Sequence, residues 1–466
     1  MTRPPGVTVQ CRKQGIASRF PWLSRLLHAV VQEVPLSRRK RIAIVALLFV
    51  ACCLRYQPLV RWDSPYPPGP ETVRVALSLV RSGEYADPFK SAPTGPTAHV
   101  SPGFPILAAA LLAFSGPRWG FALQLAAMLA VSATVSLLPR LARSLGLGWW
   151  SGVAAGAFWV VAMPPLYPHF EAPYAALLFV LATLGLLSFL ARPLKRQACL
   201  LGALVGAALL TLPTGLPPLL VYLAVALRRA GRIAVLAALV AAASVAPWMI
   251  RNRLVLGSWV PLRSNLGLEL AVSNNDCAKP GLMQNLESGC STTLHPYLNR
   301  REAFQLRQMG EVAYNRMKMK EAFRWIRSHP SAFLKLTAQR IFDFWFLHRS
   351  GEFWRTLVEP GFRLHQLVLA VATPMSLFAL VLLWREKRLA ALIMGAWLFL
   401  FPLVYYIVQS SDRYRMPTLW VRYLLAGYLA GQLLQWLNSH WPRATSALGS
   451  SRSGSESFES AGSWTT

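Results

Sequence analysis

The chain is built from apolar blocks of about 20 residues, separated by short turns rich in arginine and lysine. A block of that length is what an α-helix needs to cross the hydrocarbon core of a bilayer. Hydrophobic residues fill 54% of the 466 positions and charged residues only 14%, which excludes an ordinary soluble globular protein. The pattern predicts an all-α, polytopic membrane protein with about ten transmembrane helices.

The predicted spans follow one another closely, except across two long loops. Between the first two spans lies an apolar block at 102–116 that is only about 14 residues long, too short for a crossing. We interpret it as an interfacial or re-entrant helix, because all the basic turns then fall on the inner side. The predicted spans lie near 41–59, 119–139, 149–168, 173–191, 197–212, 214–228, 233–250, 365–384, 389–409 and 417–437.

These spans divide the chain into five regions. The basic run 37–41 places the amino terminus inside, and we expect a multi-pass protein of the cytoplasmic (inner) membrane. The predicted regions are a cytoplasmic leader at 1–40 with an interfacial amphipathic helix, a transmembrane core at 41–250 that includes a first outer loop at 60–118, a large, mostly helical outer loop at 251–364, C-terminal transmembrane helices at 365–437, and a disordered cytoplasmic tail at 438–466.

The formal net charge of +29 comes from 48 Lys and Arg against 19 Asp and Glu. In a soluble chain this excess would point to nucleic acid, but here the basic residues lie at the ends of apolar spans and set orientation. No nucleic-acid partner is therefore predicted. The acids lie mostly on the outer side of the membrane, and we therefore expect any catalytic site to face outward. In this topology the inner side holds only Glu33, Glu386, Glu456 and Glu459.

Two acids lie in the proline-rich part of the first outer loop. Glu71 follows Pro70 and would either complement the dipole of a new helix or act as a general base at the membrane surface. Asp63 either faces water or assists Glu71. His99, directly ahead of the short apolar block, is either a solvated histidine or a ligand of a metal or phosphate.

Two basic clusters lie at the outer ends of spans. Arg251, Arg253 and Arg263 form one, and the run Arg413, Tyr414 and Arg415 forms the other. A planar guanidinium can bind a phosphate through two parallel hydrogen bonds, although arginines at this depth also pair with ordinary lipid headgroups. Two such clusters on one face suggest a bound anionic lipid head.

The cysteines and the ionisable residues limit the remaining function classes. Cys277 and Cys290 share the large outer loop and would either form a disulfide or remain two free thiols. The sequence has no CxxC or HExxH motif, which argues against a closed structural zinc site. The spans carry almost no ionisable group at mid-depth, which argues against an ion-coupled transporter but not against a lipid flippase.

Several motifs together resemble one known superfamily. The chain resembles bacterial members of the C-type glycosyltransferase superfamily, near family 39 and the dolichyl-phosphate-mannose protein mannosyltransferases, over about residues 41–431. The matching stretches are PPGPETVRVALSLVRSGEYADPF, TGPTAHVSPGFPILAA, PWMIRNRLVLGSWVPLRSNLGLELAVSNN, HPYLNRREAFQLRQMGEVAY, WIRSHPSAFLKL and DRYRMPTLW.

This resemblance implies a multi-span enzyme that uses a polyprenyl-phosphate-linked sugar, with acids of the first outer loop in catalysis. Glu71 matches the family acid best because it opens the juxtamembrane helix. Many relatives carry adjacent Asp and Glu there, whereas Asp63 and Glu71 are separated by seven residues, so the role of Asp63 stays open. Glu171 resembles the acid in the next outer turn of relatives.

We therefore expect a membrane glycosyltransferase, hexosyl or pentosyl, that moves a sugar from the lipid donor to a glycan, lipid or protein acceptor on the outer face. Glu71 would act as base with Asp63 or Glu171, and a divalent metal ion is left open. The alternative is a non-catalytic flippase or envelope-assembly protein that uses the same basic residues to hold lipid. The donor phosphate would be bound by residues from Arg251, Arg263, Arg413, Tyr414, Arg415 and His99.

Overall fold

The computed structural model describes residues 36–63, 69–346 and 360–440, and these ranges consist of helices joined by short turns. This confirms the predicted all-α, polytopic class. The predicted leader helix and the predicted disordered tail fall largely before residue 36 and after residue 440, outside the described ranges. Residues 35–429 form one compact unit, and all packing described below lies within it.

The helices follow the predicted apolar blocks closely. Every predicted span overlaps at least one helix, and the block at 102–116 forms a helix of its own. In chain order they are α1 (Arg38–Tyr56), α2 (Glu71–Ser82), α3 (Gly103–Ser115), α4 (Trp119–Ser144), α5 (Trp149–Ala162), α6 (Ala172–Ala191), α7 (Lys195–Thr211), α8 (Leu216–Ala230), α9 (Arg232–Leu256), α10 (Leu266–Ser273), α11 (Leu282–Glu287), α12 (Cys290–Leu294), α13 (Arg300–Met309), α14 (Glu311–Ser328), α15 (Pro330–Trp345), α16 (Pro360–Glu386), α17 (Arg388–Gly395), α18 (Leu403–Ile407) and α19 (Leu419–His440).

Among the described residues, six helical stretches are long and apolar enough to cross a membrane. One of them joins α3 and α4 through the turn Gly116–Arg118, where Gly116 has a left-handed φ of 52° and is followed by Pro117. This turn explains why the block at 102–116 is a separate helix; its re-entrant placement stays a prediction. The six stretches are Arg38–Leu59, Gly103–Ser144, Ala172–Ala191, Arg232–Leu256, Leu364–Glu386 and Arg388–Ile407.

Small residues let α7 and α9 pack closely. Gly202 and Gly206 are one helical turn apart on α7, and a Cβ on either would overlap α9 at Ala237 or Ser244. Without a strong hydrophobic driving force between helices in lipid, such small-residue faces are a principal source of helix association. This pair of helices extends to the cavity described below, which Leu212, the residue after α7, helps to line.

Residues 257–345 form a helical segment between the two sets of apolar helices. Helices α10 to α15 lie within it, and Cys277 and Cys290 are joined by a disulfide bond. The bond closes the loop that contains α11 and ends at the start of α12. His295 is the residue that follows α12.

Candidate functional site

A cavity of about 690 Å³ lies where the loops at the ends of several helices meet. Polar residues line one part of it, and an apolar wall lines the rest. The polar lining comes from the start of α2, the turn before α3, the start of α6, the segment around α10, the residue after α12 and the turn after α18. The polar residues that matter below are Glu71, His99, Glu171, Arg263, Asn265, Glu269, His295, Arg413 and Tyr414.

Three of these residues converge on one point. A ligand atom from each of Glu71, His99 and His295 lies within 4.8 Å of the other two. Glu71 is the first residue of α2, as predicted, because Pro70 precedes it and fixes the backbone where the helix begins. The hydroxyl of Thr72 donates to the carbonyl of His169 at 2.9 Å, which ties this helix end to the loop that carries Glu171.

His99 contributes one ring nitrogen to this cluster. The residue is only 2% exposed, and within the described ranges its Nδ1 is buried without a hydrogen-bond partner. Burial, together with the positive charge of Arg263 and the neighbouring His295, lowers the pKa of His99 well below the ordinary value of 6.5. The imidazole is therefore neutral at pH 7 and has a lone pair available for a cation.

The turn that carries His99 is fixed by a small hairpin-like loop. Asp87 has a left-handed φ of 54°, and its Oδ1 accepts from the N–H groups of Thr94 and Gly95, both at 2.8 Å. An aspartate tolerates this backbone region because its short side chain can bond locally. The ring of Phe89 packs edge-on against His99 with centroids 4.9 Å apart, which fixes the imidazole orientation.

His295 differs from His99 in its hydrogen bonding. Its Nδ1 accepts from the backbone N–H of Tyr297 at 3.0 Å. Because a backbone N–H can only donate, a neutral His295 must carry its hydrogen on Nε2. His295 thus offers a donor to the cavity, whereas Glu71 and His99 offer the two lone-pair ligands. This donor set fits a cation held by two protein ligands, with its other positions open to phosphate oxygens and water.

Cationic side chains line the same cavity. Arg263 Nη1 lies 4.0 Å from Glu171 Oε1, and in the part of the chain that the structure describes the other oxygen of Glu171 is buried without a partner. Arg413 stacks over the ring of Phe170 at 3.6 Å. Burial acts to lower the pKa of Arg413, but Tyr414 and the acids Glu171 and Glu71 outweigh it and raise that pKa. The guanidinium is therefore charged at any physiological pH.

The apolar wall extends from the polar part of the cavity. It is formed by the end of α7, the start of α8 and a third stretch, which runs from the end of a short π-helix at Ala396–Leu400 through α18. A continuous apolar lining beside two cations suits a molecule with an anionic head and a hydrocarbon tail. The wall residues include Leu212, Leu216, Phe401, Leu403, Val404 and Val408.

The structure brings together six of the nine residues predicted for catalysis or phosphate binding. Asp63 is exposed and lies outside the cavity lining. Arg251 also lies outside the lining and donates to the carbonyl groups of Thr97 and Tyr85, at 2.7 and 2.8 Å. Arg415 is buried against Asp412 and the Phe346 carbonyl. The six that line the cavity are Glu71, His99, Glu171, Arg263, Arg413 and Tyr414.

Sequence reasoning did not single out His295 or Glu269. His295 lies five positions after Cys290 and precedes a proline, so a disulfide prediction could have drawn attention to it. Glu269 lines the cavity from α10, and one of its oxygens accepts from Asn265 at 3.2 Å. Its sequence neighbours are apolar helix residues, and nothing in their spacing indicates a site.

Comparison with solved structures identifies the fold. The archaeal oligosaccharyltransferase AglB from Archaeoglobus fulgidus, in complex with an inhibitory peptide and a dolichol-phosphate, aligns with a TM-score of 0.53 and 12% identity, over 86% of this chain and 52% of that chain. The same enzyme in complex with Zn and sulfate aligns with a TM-score of 0.52 and 12% identity, over 85% and 50%. A third structure, tethered to an acceptor peptide, gives 0.50 and 13%, over 84% and 49%.

These alignments show that the chain shares its fold with the archaeal oligosaccharyltransferase AglB. The chain spans about half the length of the solved structures that it matches. No protein-family model and no curated protein matches the chain. The narrower family 39 relationship stays a prediction.

Proposed function

We propose that this protein is a membrane glycosyltransferase that transfers a sugar from a polyprenyl-phosphate-linked donor to an acceptor at the outer face of the cytoplasmic membrane. The observation that carries the proposal is the convergence of Glu71, His99 and His295 in one cavity with Arg263 and Arg413. The cavity combines binding groups for an anion, a cation and a hydrocarbon chain. The shared fold with AglB, solved with a dolichol-phosphate, supports this use of the cavity.

Each part of the cavity has a role in the proposed reaction. The guanidinium groups of Arg263 and Arg413 bind the donor phosphate, and the apolar wall holds the isoprenoid. Glu71 and His99 would hold a divalent metal ion, which when bound supplies charge neutralisation at the phosphate as the sugar leaves. The Zn present in one AglB structure agrees with a metal in this fold. His295 donates from Nε2 to a phosphate oxygen.

Glu171 is the better placed general base, since Glu71 is engaged as a ligand. Glu171 lines the cavity, and one of its carboxylate oxygens has no hydrogen-bond partner among the described residues, so the side chain has lone pairs left to accept a proton. The acceptor oxygen attacks the anomeric carbon, the bond from that carbon to the phosphate oxygen breaks, and its electron pair leaves with the polyprenyl phosphate. The acceptor proton moves to Glu171. Asp63, exposed and outside the cavity, has no part in this scheme.

A direct assay tests the proposal. Purified protein in nanodiscs is supplied with undecaprenyl phosphate carrying tritiated hexoses or pentoses, together with membrane lipid and glycan acceptors. Wild type should release undecaprenyl phosphate and label an acceptor, and Glu171→Gln and His99→Asn should each lose at least about 100-fold of this activity. Glu84→Gln, a substitution of an exposed acid near the end of α2, is the matched control.

The outcomes separate the enzyme from its rivals. If wild type turns over no donor but carries the labelled lipid across a vesicle membrane, the protein is a flippase and the proposal fails. If Glu171→Gln keeps wild-type turnover, the base assignment is wrong. Mass spectrometry of surface glycans from a strain lacking the chain then identifies the sugar and the acceptor through the modification that disappears.

A further inference from the structure

Glu311 is a buried carboxylate outside the cavity that joins two segments of its lining. It is the first residue of α14 and is 6% exposed. Its Oε2 accepts from the hydroxyl of Thr97, and its Oε1 accepts from the N–H of Ala98 at 2.7 Å and the hydroxyl of Ser264 at 2.5 Å. Thr97 and Ala98 precede His99, and Ser264 follows Arg263. The carboxylate of Glu311 therefore contacts residues that adjoin His99, the proposed metal ligand, and Arg263, the proposed phosphate-binding residue, in the chain.

The segment 97–99 has all of its backbone polar groups bonded. Such complete pairing fixes the path of a loop that has no regular secondary structure. The backbone of His99 cannot shift without breaking several of these bonds. Their partners are Tyr85 and Arg251 for residue 97, Glu311 and Ser264 for residue 98, and the Thr97 hydroxyl and Arg263 for residue 99.

We infer that Glu311 is a positioning residue that holds His99 and Arg263 at a fixed separation, so that a metal ion and the donor phosphate are bound next to each other. The inference rests on the proposed function for the roles of His99 and Arg263. Glu311 itself touches neither the cavity nor the substrate. Its importance lies in its geometry, because a carboxylate is the acceptor-only group that can receive all three donors at once.

The hydrogen bonds to Glu311 offset part of the cost of burying its carboxylate. Burial raises the pKa of Glu311, and the hydrogen bonds from Ser264, Thr97 and Ala98, with the charge of Arg251, oppose this rise. A neutral amide in its place would still accept at one atom, but its NH₂ group would face the Thr97 hydroxyl. That hydroxyl already accepts from the His99 N–H at 2.9 Å. Glu311→Gln should therefore impair the segment less than Glu311→Ala.

The test measures ligand binding rather than turnover. Full-length protein in nanodiscs is titrated with Co²⁺, followed by its d–d absorption, and separately with undecaprenyl phosphate, followed by native mass spectrometry. Outer groups that orient metal ligands typically account for 10- to 100-fold of metal affinity. We expect Co²⁺ affinity to fall by about that factor in Glu311→Ala, with an altered absorption spectrum, and by less in Glu311→Gln. Undecaprenyl phosphate binding should weaken in the same order.

A matched control separates positioning from a loss of folding. Glu302 is a half-buried acid of the same helical segment, bonded to Tyr314 and to Lys318 at 3.0 Å and, among the described residues, to none that lines the cavity. Glu302→Gln should keep wild-type affinity for both ligands. If Glu311→Ala does not fold, Glu311→Gln decides the matter alone.

Three results would overturn parts of the scheme, and they can be told apart. Wild-type affinities for both ligands in the folded Glu311 variants would refute the positioning role. If wild type itself binds no Co²⁺, the metal in the proposed function is wrong, and undecaprenyl phosphate binding then decides the role of Glu311. Equal losses in Glu302→Gln and Glu311→Gln would show a general loss of packing and would also refute it.

Discussion

Arg263 donates from Nε to the backbone carbonyl of His99 at 2.9 Å, while its Nη1 lies 4.0 Å from Glu171. One guanidinium thus connects the histidine turn to the acid at the start of α6. Arg263 also lines the cavity. This relationship means that Arg263 can bind an anion without moving, since the neighbouring groups already fix its orientation.

Substitutions of Arg263 should therefore distinguish the contribution of its charge to donor binding from the contribution of its hydrogen-bonding geometry. Arg263→Ala should lower kcat/KM for the lipid donor by about 10- to 150-fold, the equivalent of one charged hydrogen bond of about 1.5–3 kcal/mol. Arg263→Lys retains the charge but not the Nε bond to His99, so we expect an intermediate loss. Initial rates over a range of donor concentrations measure this. Arg253→Ala, at an exposed arginine, should leave the rates unchanged; equal effects at both positions would contradict the assignment.

His295 provides a second test, because its two nitrogens have different functions. Gln places its amide nitrogen close to the position of the imidazole Nε2, and Asn places its own close to that of Nδ1. His295→Gln should keep part of the activity, whereas His295→Asn and His295→Ala should lose about 100-fold or more, as is typical when one preorganised donor is removed. Co²⁺ affinity should stay within a few-fold of wild type in all three. A loss of Co²⁺ binding in His295→Ala would instead make His295 a third metal ligand.

The disulfide should stabilise the folded state of the segment that contains His295. Cross-linking a loop of about 15 residues restricts the unfolded chain and contributes about 3 kcal/mol. We expect Cys277→Ala with Cys290→Ala to lower the Tm of the nanodisc-bound protein by several degrees, and a reducing agent to lower the wild-type Tm similarly. Scanning fluorimetry with and without the reductant measures this. Cys199→Ala removes a free cysteine and should have no such effect.

The sequence was sufficient to predict the fold class and to single out six residues that line the cavity, for identifiable physical reasons. Apolar block length predicts membrane helices because the bilayer sets it, and Pro70 predicts the start of α2 at Glu71. Long-range pairing could not be predicted in this way. Arg251 has the same local signals as Arg263, yet it bonds the Thr97 carbonyl, and only the packing of distant loops decides between them.

The role of His295 shows the same limit in a sharper form. Its proximity to Glu71 and His99 depends on contacts between segments about 200 residues apart in the chain, such as the Tyr297 hydroxyl on the Gly69 carbonyl at 3.2 Å. No sequence pattern within either segment predicts that contact. The tautomer of His295 depends on a single backbone N–H. The position and the tautomer of His295 both depend on how the loops are arranged in three dimensions.

The pKa values of His99 and Glu311 predict opposite effects of pH on stability without bound metal. The pKa of His99 is lowered in the folded state, mainly by burial. Below about pH 6.5 the unfolded chain therefore binds a proton that the folded protein does not, and stability falls as the pH decreases. The pKa of Glu311 is raised, also mainly by burial. Its contribution is greatest at low pH and is lost as the pH rises above about 4.5 towards its folded-state pKa.

Single substitutions should separate these two contributions. We expect His99→Asn to flatten the fall in Tm between pH 6.5 and pH 5, because the residue that gains a proton on unfolding is gone. Glu311→Gln should steepen the fall in Tm in the range just above pH 4.5, because it removes the group whose effect opposes that of His99 there. Scanning fluorimetry of metal-free protein across both ranges, with each variant compared with wild type, measures both slopes. If His99→Asn retains the wild-type slope, His99 is not buried in neutral form, and its assignment as a ready metal ligand is wrong.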